Sequence, residues 1–110
     1  MTDPQIAWAA GLFEGEGCIS NSRIRQGKVC KQLSLEMTDL DIVERFRKVV
    51  GVDNKIISRV RKDNGNCKPI YLYRIQAHKD IQRVLSSFLP FFGLRRAYTA
   101  LNTLDQIELD

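Results

Sequence analysis

Two glutamates flanked by glycines, Glu14 and Glu16, are the residues whose type and spacing best suit chemistry. They follow an unbroken apolar or small run from Ile6 to Phe13, which predicts a helix, so both acids lie at its C-terminal end. The helix dipole disfavours negative charge there by about 0.3–1 kcal/mol per acid, and we expect a cation to compensate. Hard oxygen ligands suit Mg²⁺, which uses one or two carboxylates plus phosphate oxygens. The alternative is that both glutamates are exposed acids in a turn.

Arg95 and Arg96 form the opposite case, because both lie in the first turn of a predicted helix. The dipole already presents positive charge at that end, so two guanidinium groups destabilise it unless an anion binds. A phosphate beside a helix N-terminus with an arginine next to it would satisfy both groups.

Other reactive side chains suggest no competing chemistry. Cys18, Cys30 and Cys67 are odd in number and lack metal-ligand spacing, which argues against disulfides and zinc and favours a reducing compartment. His78 is the single histidine and is expected at the surface between a strand and a helix. No Ser/His/Asp arrangement, phosphate-binding glycine loop or RNA-binding aromatic signature is present.

Charge is segregated along the chain. Residues 17–35 and 54–79 together carry +10, whereas the remainder carries −6, for a net charge of +4. Segregation of this size indicates one basic surface that faces a polyanion, with a merely solvated charged face as the alternative.

Periodicity predicts an α+β fold in the order α-β-β-α-β-β-α-α, as one domain over residues 1–110. The first helix is capped by Asp3, and its small residues Ala7, Ala10 and Gly11 predict close approach of a second helix. The later elements are strands at 18–25 and 28–37, a helix before Gly51, strands at about 54–62 and 69–76 joined around 63–66, a helix ended by Pro90 and a last helix from Leu94.

The segment from Ala9 to Gly17, AAGLFEGEG, resembles the LAGLIDADG motif, with identity at Ala10, Gly11, Leu12 and Gly17. The order of elements also matches that family, and the segments 32–35 and 89–96 are similar to its single-motif homodimeric branch. The resemblance implies an αββαββα fold whose four-stranded antiparallel sheet is saddle-shaped and backed by helices.

The resemblance also implies a function. Such a protein would be an intron-encoded homing endonuclease that hydrolyses both strands of a long pseudo-palindromic DNA target as a homodimer with Mg²⁺ or Mn²⁺. It implies metal binding at Glu16 with Gly15, catalytic roles for Glu16, Asp39 and Arg95, and a dimer interface at Ala7, Ala10, Gly11 and Glu14. Asp39 replaces a glutamine found in one branch and could instead be only a helix cap.

Strand alternation then predicts the side chains that face DNA. They are Ser20, Ser22 and Ile24, then Gln32, Ser34 and Glu36, then Lys55, Arg59 and Arg61, and finally Tyr71 and Tyr73, although the tyrosines could instead pack. Strands of about nine residues span about 30 Å, which is the length of about nine base pairs. A dimer should therefore contact about twenty base pairs.

Two alternatives stay open. The same fold could serve as a non-cleaving nucleic-acid-binding module, such as an intron-splicing maturase or a regulator, because glutamate adds a methylene that could misplace the metal. A structural dimer without nucleic acid would leave the charge segregation unexplained. The sequence shows no targeting segment and no apolar run of membrane-spanning length, so we expect an intracellular protein of an organelle, chloroplast or mitochondrion, or of prokaryotic or phage cytoplasm.

Overall fold

A computed structural model of the chain describes the backbone of residues 2–25, 28–60 and 68–109. Side chains are described within these ranges except at 22–25, 28–29 and 108–109. The elements are α1 (Asp3–Glu16), β1 (Gly17–Arg25), β2 (Lys28–Met37), α2 (Leu40–Val50), β3 (Ile57–Val60), β4 (Pro69–Ile75), α3 (His78–Phe88), a 3₁₀ turn (Leu89–Phe91) and α4 (Leu94–Leu109). This is the predicted α+β order, with the short turn at Pro90 added.

The first helix begins one residue earlier than predicted. Thr2, not Asp3, is the N-cap: its hydroxyl accepts a hydrogen bond from the Gln5 backbone N–H, and the Gln5 side chain accepts one from the Thr2 N–H. This reciprocal capping box satisfies two donors that the helix itself leaves unpaired. Asp3 instead supplies a favourable negative charge in the first turn.

The four strands form one antiparallel sheet in the order β1-β2-β4-β3. Within each hairpin the two strands pair with each other, β1 with β2 and β3 with β4. The two hairpins join through β2 and β4, where Leu33 lies opposite Ile75 and Leu35 opposite Tyr73. All four of these side chains are buried, so they define the sheet face that packs on the helices. None of the described helices packs on the other face, as is usual for an antiparallel sheet with one covered face.

The second hairpin differs from its predicted extent. β3 covers only Ile57–Val60 of the predicted 54–62, so Lys55 lies in the exposed segment before the strand. In that segment the Asn54 side-chain amide donates to the Arg74 carbonyl at 2.8 Å, a local bond that replaces strand pairing. The predicted turns at 26–27 and 63–66, and Arg61 with them, lie outside the described residues.

The core is organised around a cluster of aromatic rings. Phe13 of α1 lies 6.2 Å from Phe46 of α2, 6.0 Å from Phe88 of α3 and 6.3 Å from Phe92, measured between ring centroids. Offset and tilted ring pairs at such distances add about 0.5–1.5 kcal/mol each beyond their burial. One side chain of the first helix thus ties three other segments together.

Tyr73 belongs to this core, and the prediction that it faces DNA is wrong. Its side chain is 1% exposed, its ring lies edge-on to Phe46, and its hydroxyl donates to the Val52 carbonyl at 2.6 Å. Burial raises the pKa of the Tyr73 hydroxyl well above its ordinary value. Tyr71 is two residues away on the same side of β4 and packs against the core while partly exposed, so strand 4 is out of step with the prediction by one residue.

Of the last two helices, only α3 buries the side that periodicity predicts. α3 buries Ile81, Val84, Leu85 and Phe88, and His78, its first residue, is partly exposed as expected. In α4 the spacing of Ala97, Tyr98, Leu101 and Leu104 predicts an inward side, which is wrong: Tyr98 and Leu101 are 69% and 51% exposed, and Ala100, Thr103 and Ile107 are buried instead. Within the described part of the chain, no helix combines the length and apolar character required to cross a bilayer.

Replacing Tyr73 with Phe should lower the free energy of unfolding by about 1–2 kcal/mol, because the buried Val52 carbonyl loses its only hydroxyl donor. Tyr71→Phe is the matched control and should change stability by less than about 0.5 kcal/mol. Urea denaturation followed by circular dichroism measures both. Equal stability of the two variants would contradict a core role for the Tyr73 hydroxyl.

Candidate functional site

Glu16 owes its position to an abrupt junction between helix and strand. α1 ends at Glu16 and β1 begins at Gly17, with no loop between them. A Cβ on residue 17 would overlap the Phe13 ring, so only glycine allows the strand to leave the helix this closely. Glu16 is therefore presented at the end of the sheet, and its side chain is exposed.

Glu16 and Asp39 share one cleft of about 550 Å³ at this end of the sheet. The lining comes from the end of α1, the start of β1, the second half of β2, the segment before α2 and the start of β4: Glu16, Cys18, Ser34, Glu36, Met37, Thr38, Asp39 and Ile70. Three of these residues are carboxylates. Sequence reasoning brought Glu16 and Asp39 together but placed Glu36 only among DNA-facing residues.

Asp39 does not act as a conventional helix cap. It occupies the N-cap position of α2 with extended backbone angles, and its carbonyl accepts bonds from Ile42 and Val43. Its side chain, however, makes no capping hydrogen bond and is exposed in the cleft. The carboxylate is thus available to a ligand, which favours the site interpretation over the cap interpretation.

Glu14 faces a different partner from Glu16. Its Oε1 accepts a hydrogen bond at 2.8 Å from the backbone N–H of Gly93, the residue that precedes α4. A carboxylate at a helix N-terminus is stabilised by the dipole and by the unpaired N–H groups. The anion that the first turn of α4 requires is therefore the chain's own Glu14, a contact that the sequence pattern did not predict.

Arg96 supplies the cation that the end of α1 requires. Its guanidinium donates to the Glu14 carbonyl at 2.9 Å and to the Gly17 carbonyl at 3.2 Å, and lies 5.6 Å from the centre of the Phe13 ring. The expectation of an external anion partner is wrong for Arg96, because helix carbonyls take its donors. Arg95 is exposed and lines a second cleft with Glu14, Arg96 and Thr99, not the cleft of Glu16.

The outward face of α1 consists of small residues. Ala7 is partly exposed, and Gly11 and Gly15 are exposed with nothing within 4 Å of where a Cβ would lie. The prediction that Ala10 lies in a dimer interface is wrong. Its side chain is 0% exposed, in the core beside Ala9, so it has no surface that a partner could contact. Residues 7, 11 and 15 recur every four positions, so they share one side of the helix.

The uncovered side of the sheet, here called the open face, consists of Cys18, Ser20, Gln32, Ser34, Glu36, Ile57, Arg59, Ile70, Leu72 and Arg74, by alternation with the buried residues and by register. It includes the residues predicted on strand 2 and Arg59 of strand 3.

Strand 1 departs from simple alternation. The register with β2 shifts between Asn21 and Arg23, leaving Ser22 at a bulge, after which Arg23 lies opposite Cys30 and Ile24 opposite Val29. A bulge inserts one extra residue and breaks the period of two. The regular alternation that the prediction assumed from Ser20 to Ser22 and Ile24 is therefore interrupted in the backbone pairing, and the side chains of Ser22 and Ile24 lie outside the described ones.

The described open face is less uniformly basic than the charge pattern predicts. Leu72 and Ile70 of the inner strand β4 and Ile57 of the edge strand β3 form an apolar strip, with Arg59, Arg74 and Glu36 beside it. Lys31 lies on the opposite side, where its ammonium donates to the Asn21 side chain at 2.7 Å in a cleft facing α4. The net charge of a segment does not show on which face of a strand its charged side chains lie.

Residues 3–88 match the family model described as a LAGLIDADG-like domain. The chain belongs to the LAGLIDADG-like family. No curated protein sequence matches it. The match covers α1, both hairpins, α2 and α3, and it includes the cleft with Glu16 and Asp39.

Solved LAGLIDADG-type structures share the fold at low sequence identity. The homing endonuclease I-CvuI, in complex with a DNA target, matches with a TM-score of 0.73 and 23% identity over 96% of this chain and 68% of that one. The archaeal intron-encoded homing endonuclease I-Vdi141I, in complex with DNA, matches with a TM-score of 0.68 and 15% identity over 96% of this chain and 68% of that one. The group I intron-encoded homing endonuclease I-CeuI, in complex with DNA, matches with a TM-score of 0.70 and 16% identity over 98% of this chain and 56% of that one.

Removal of the Glu14 carboxylate should loosen the start of α4. We expect Glu14→Ala to lower the free energy of unfolding by about 1–2 kcal/mol, because Gly93 loses a charged acceptor. Glu14→Gln keeps an acceptor oxygen without the charge and should lose less than half as much. Thermal denaturation measures both, and an unchanged Glu14→Ala protein would show that the contact contributes nothing.

Proposed function

We propose that this protein is a site-specific DNA endonuclease that works as a homodimer with a divalent metal and cleaves both strands of a long pseudo-palindromic duplex. The observation that carries the proposal is the cleft in which Glu16 and Asp39 meet, at the end of a sheet whose open face is uncovered. Family membership and the DNA complexes of I-CvuI, I-Vdi141I and I-CeuI support it.

The donor set of the cleft suits Mg²⁺ or Mn²⁺. No group of three or more His, Cys, Asp or Glu among the described residues could hold a metal by itself. Mg²⁺ needs only one or two carboxylates when substrate phosphate oxygens and water complete its shell, so Glu16 would hold it, with Gly15 beside it. One I-CvuI complex was obtained in the presence of Mg and another in the presence of Ca, which agrees with divalent metal use.

The reaction would be phosphodiester hydrolysis. A bound divalent metal supplies Lewis-acid stabilisation of the phosphate and promotes deprotonation of water. Asp39, exposed in the cleft, would accept a hydrogen bond from the attacking water and orient it. The water oxygen would bond to phosphorus while the bond from phosphorus to the 3′ oxygen breaks; the water gives up its proton to solvent, and the leaving 3′ oxygen takes one up from solvent. Arg95, in the second cleft, would neutralise charge on the phosphate.

Two chains are needed because each contributes one such cleft and a double-strand break needs two. The outward side of α1 suits the contact, since Gly11 and Gly15 leave open space where a second helix can approach closely. A two-fold axis along α1 would place the two Glu16 residues near each other, because each is the last residue of that helix. Two open faces would then lie along the DNA, each covering about nine base pairs.

Glu16→Gln should abolish Mg²⁺-dependent cleavage and leave DNA affinity unchanged or slightly higher, because an anion that faces phosphate is removed while the open face is intact. The substrate is a plasmid carrying the gene's own locus resealed without the insert, and the readout is linear product with and without Mg²⁺.

Asp41→Asn is the matched control, since Asp41 is an exposed acid of α2 outside the cleft lining. It should cleave at the wild-type rate. Cleavage by Glu16→Gln at that same rate would remove Glu16 from the metal site, whereas binding without cleavage by the wild type would reduce the function to DNA binding.

Gly11→Leu should prevent association without harming the fold of the single chain. No atom of the described residues lies within 4 Å of a Cβ built at residue 11, and a helical glycine costs about 1 kcal/mol relative to alanine. Sedimentation velocity at micromolar concentration should show a dimer for the wild type and a folded monomer for the variant. Glu44→Leu, which also places a leucine at an exposed helix position but on α2, should stay dimeric. A monomeric wild type would contradict the homodimer.

A further inference from the structure

One ion pair crosses the open face next to the cleft. Arg59 Nη2 of β3 lies 3.5 Å from Glu36 Oε1 of β2, and the side chains are 57% and 39% exposed. The strand between them is β4, where Leu72 is the register partner of Glu36 and Ile70 that of Arg59. Two long charged side chains therefore meet above an apolar strip, in contact with solvent on the side proposed to meet DNA.

A carboxylate at this position needs an explanation. Facing phosphates and the acceptor-rich edges of bases, Glu36 would be repelled by most of the groups in a major groove. An acidic side chain can accept only from an exocyclic amine, and cytosine N4 is its usual partner there. Glu36 thus weakens general DNA binding and discriminates against base pairs that lack a donor in reach.

We propose that Arg59 and Glu36 act as one unit that selects a G·C base pair, an inference that rests on the proposed binding of duplex DNA. Arginine donates to guanine O6 and N7, and glutamate accepts from cytosine N4. Guanine O6 and cytosine N4 are neighbours because they are hydrogen-bonded to each other within the pair. A guanidinium and a carboxylate that already touch present the complementary groups in the same order.

The contact within the pair leaves the required groups available. Only one Arg59 nitrogen and one Glu36 oxygen take part in it, so the other guanidinium N–H groups and Oε2 stay open to a base pair. Contact with Glu36 also limits the freedom of the Arg59 side chain, which lowers the entropy lost on binding.

The selected base pair should lie near the cut. Glu36 lines the same cleft as Glu16, so the pair is at the end of the open face closest to the proposed metal site. In a two-fold dimer it would occur once in each half-site, at symmetric positions beside the centre of the target.

Arg74 provides a matched control on the same face. It lies opposite Ser34, and among the described residues it has no acidic partner. An unpaired arginine is suited to phosphate contact, which raises affinity for every sequence and steepens the salt dependence.

The test is selection of duplexes from a random library in EDTA, where cleavage cannot occur, with wild type, Arg59→Ala, Glu36→Gln and Arg74→Ala. The wild type should select a G·C pair at one position per half-site, and changing it should weaken binding about tenfold to a hundredfold. Arg59→Ala and Glu36→Gln should both lose the preference at that position and keep the others. Arg74→Ala should keep every preference and bind all sites more weakly.

The outcomes separate this inference from the proposed function. If both pair variants keep every G·C preference of the wild type, or lose preferences at different positions, the inference is overturned. If the selected duplex is bound as expected but is not cut with Mg²⁺, the endonuclease proposal fails while the inference stands. If the wild type selects no duplex, both fail.

Discussion

The contact between the Phe13 ring and Gly17 is the constraint on which the rest of the site depends. The ring occupies the space that a side chain at residue 17 would need, so α1 turns into β1 without a loop. Phe13 is itself held by ring contacts with Phe46, Phe88 and Phe92. Helix, sheet and core thus meet at one point, and the last residue of α1, Glu16, is presented at the end of the sheet.

The charges at that junction are divided between two tasks. Arg96 donates to carbonyls at the end of α1, and Glu14 accepts from Gly93 at the start of α4, so each helix end receives the charge that its dipole favours. These exchanges use Glu14 and Arg96 for structure. Glu16 and Arg95, the charged residues next to this structural pair, are left exposed.

The two sides of α1 and of the sheet show the same division. Ala9, Ala10 and Phe13 are buried, while Gly11 and Gly15 face outward with space beside them. On the sheet, Leu33 and Leu35 pack on the helices, while the side chains between them lie on the open face. Each element therefore stabilises the chain with one side and leaves the other exposed, so α1 and the sheet supply both the core and two exposed surfaces.

The sequence by itself determined the order of the helices and strands, and it determined which side of β2 is buried, because local periodicity and turn residues carry that information. A nine-residue motif was enough to indicate the family and to place Glu16 at the end of α1. Tertiary structure decided which side of β4 is buried, since Tyr73 and Leu72 are both apolar enough for either face and only pairing with Leu35 and the Val52 carbonyl fixes the choice. It also decided the bulge at Ser22 and the partners of Glu14 and Arg96. These partners come from contacts between residues about eighty positions apart, which neither spacing nor composition can express.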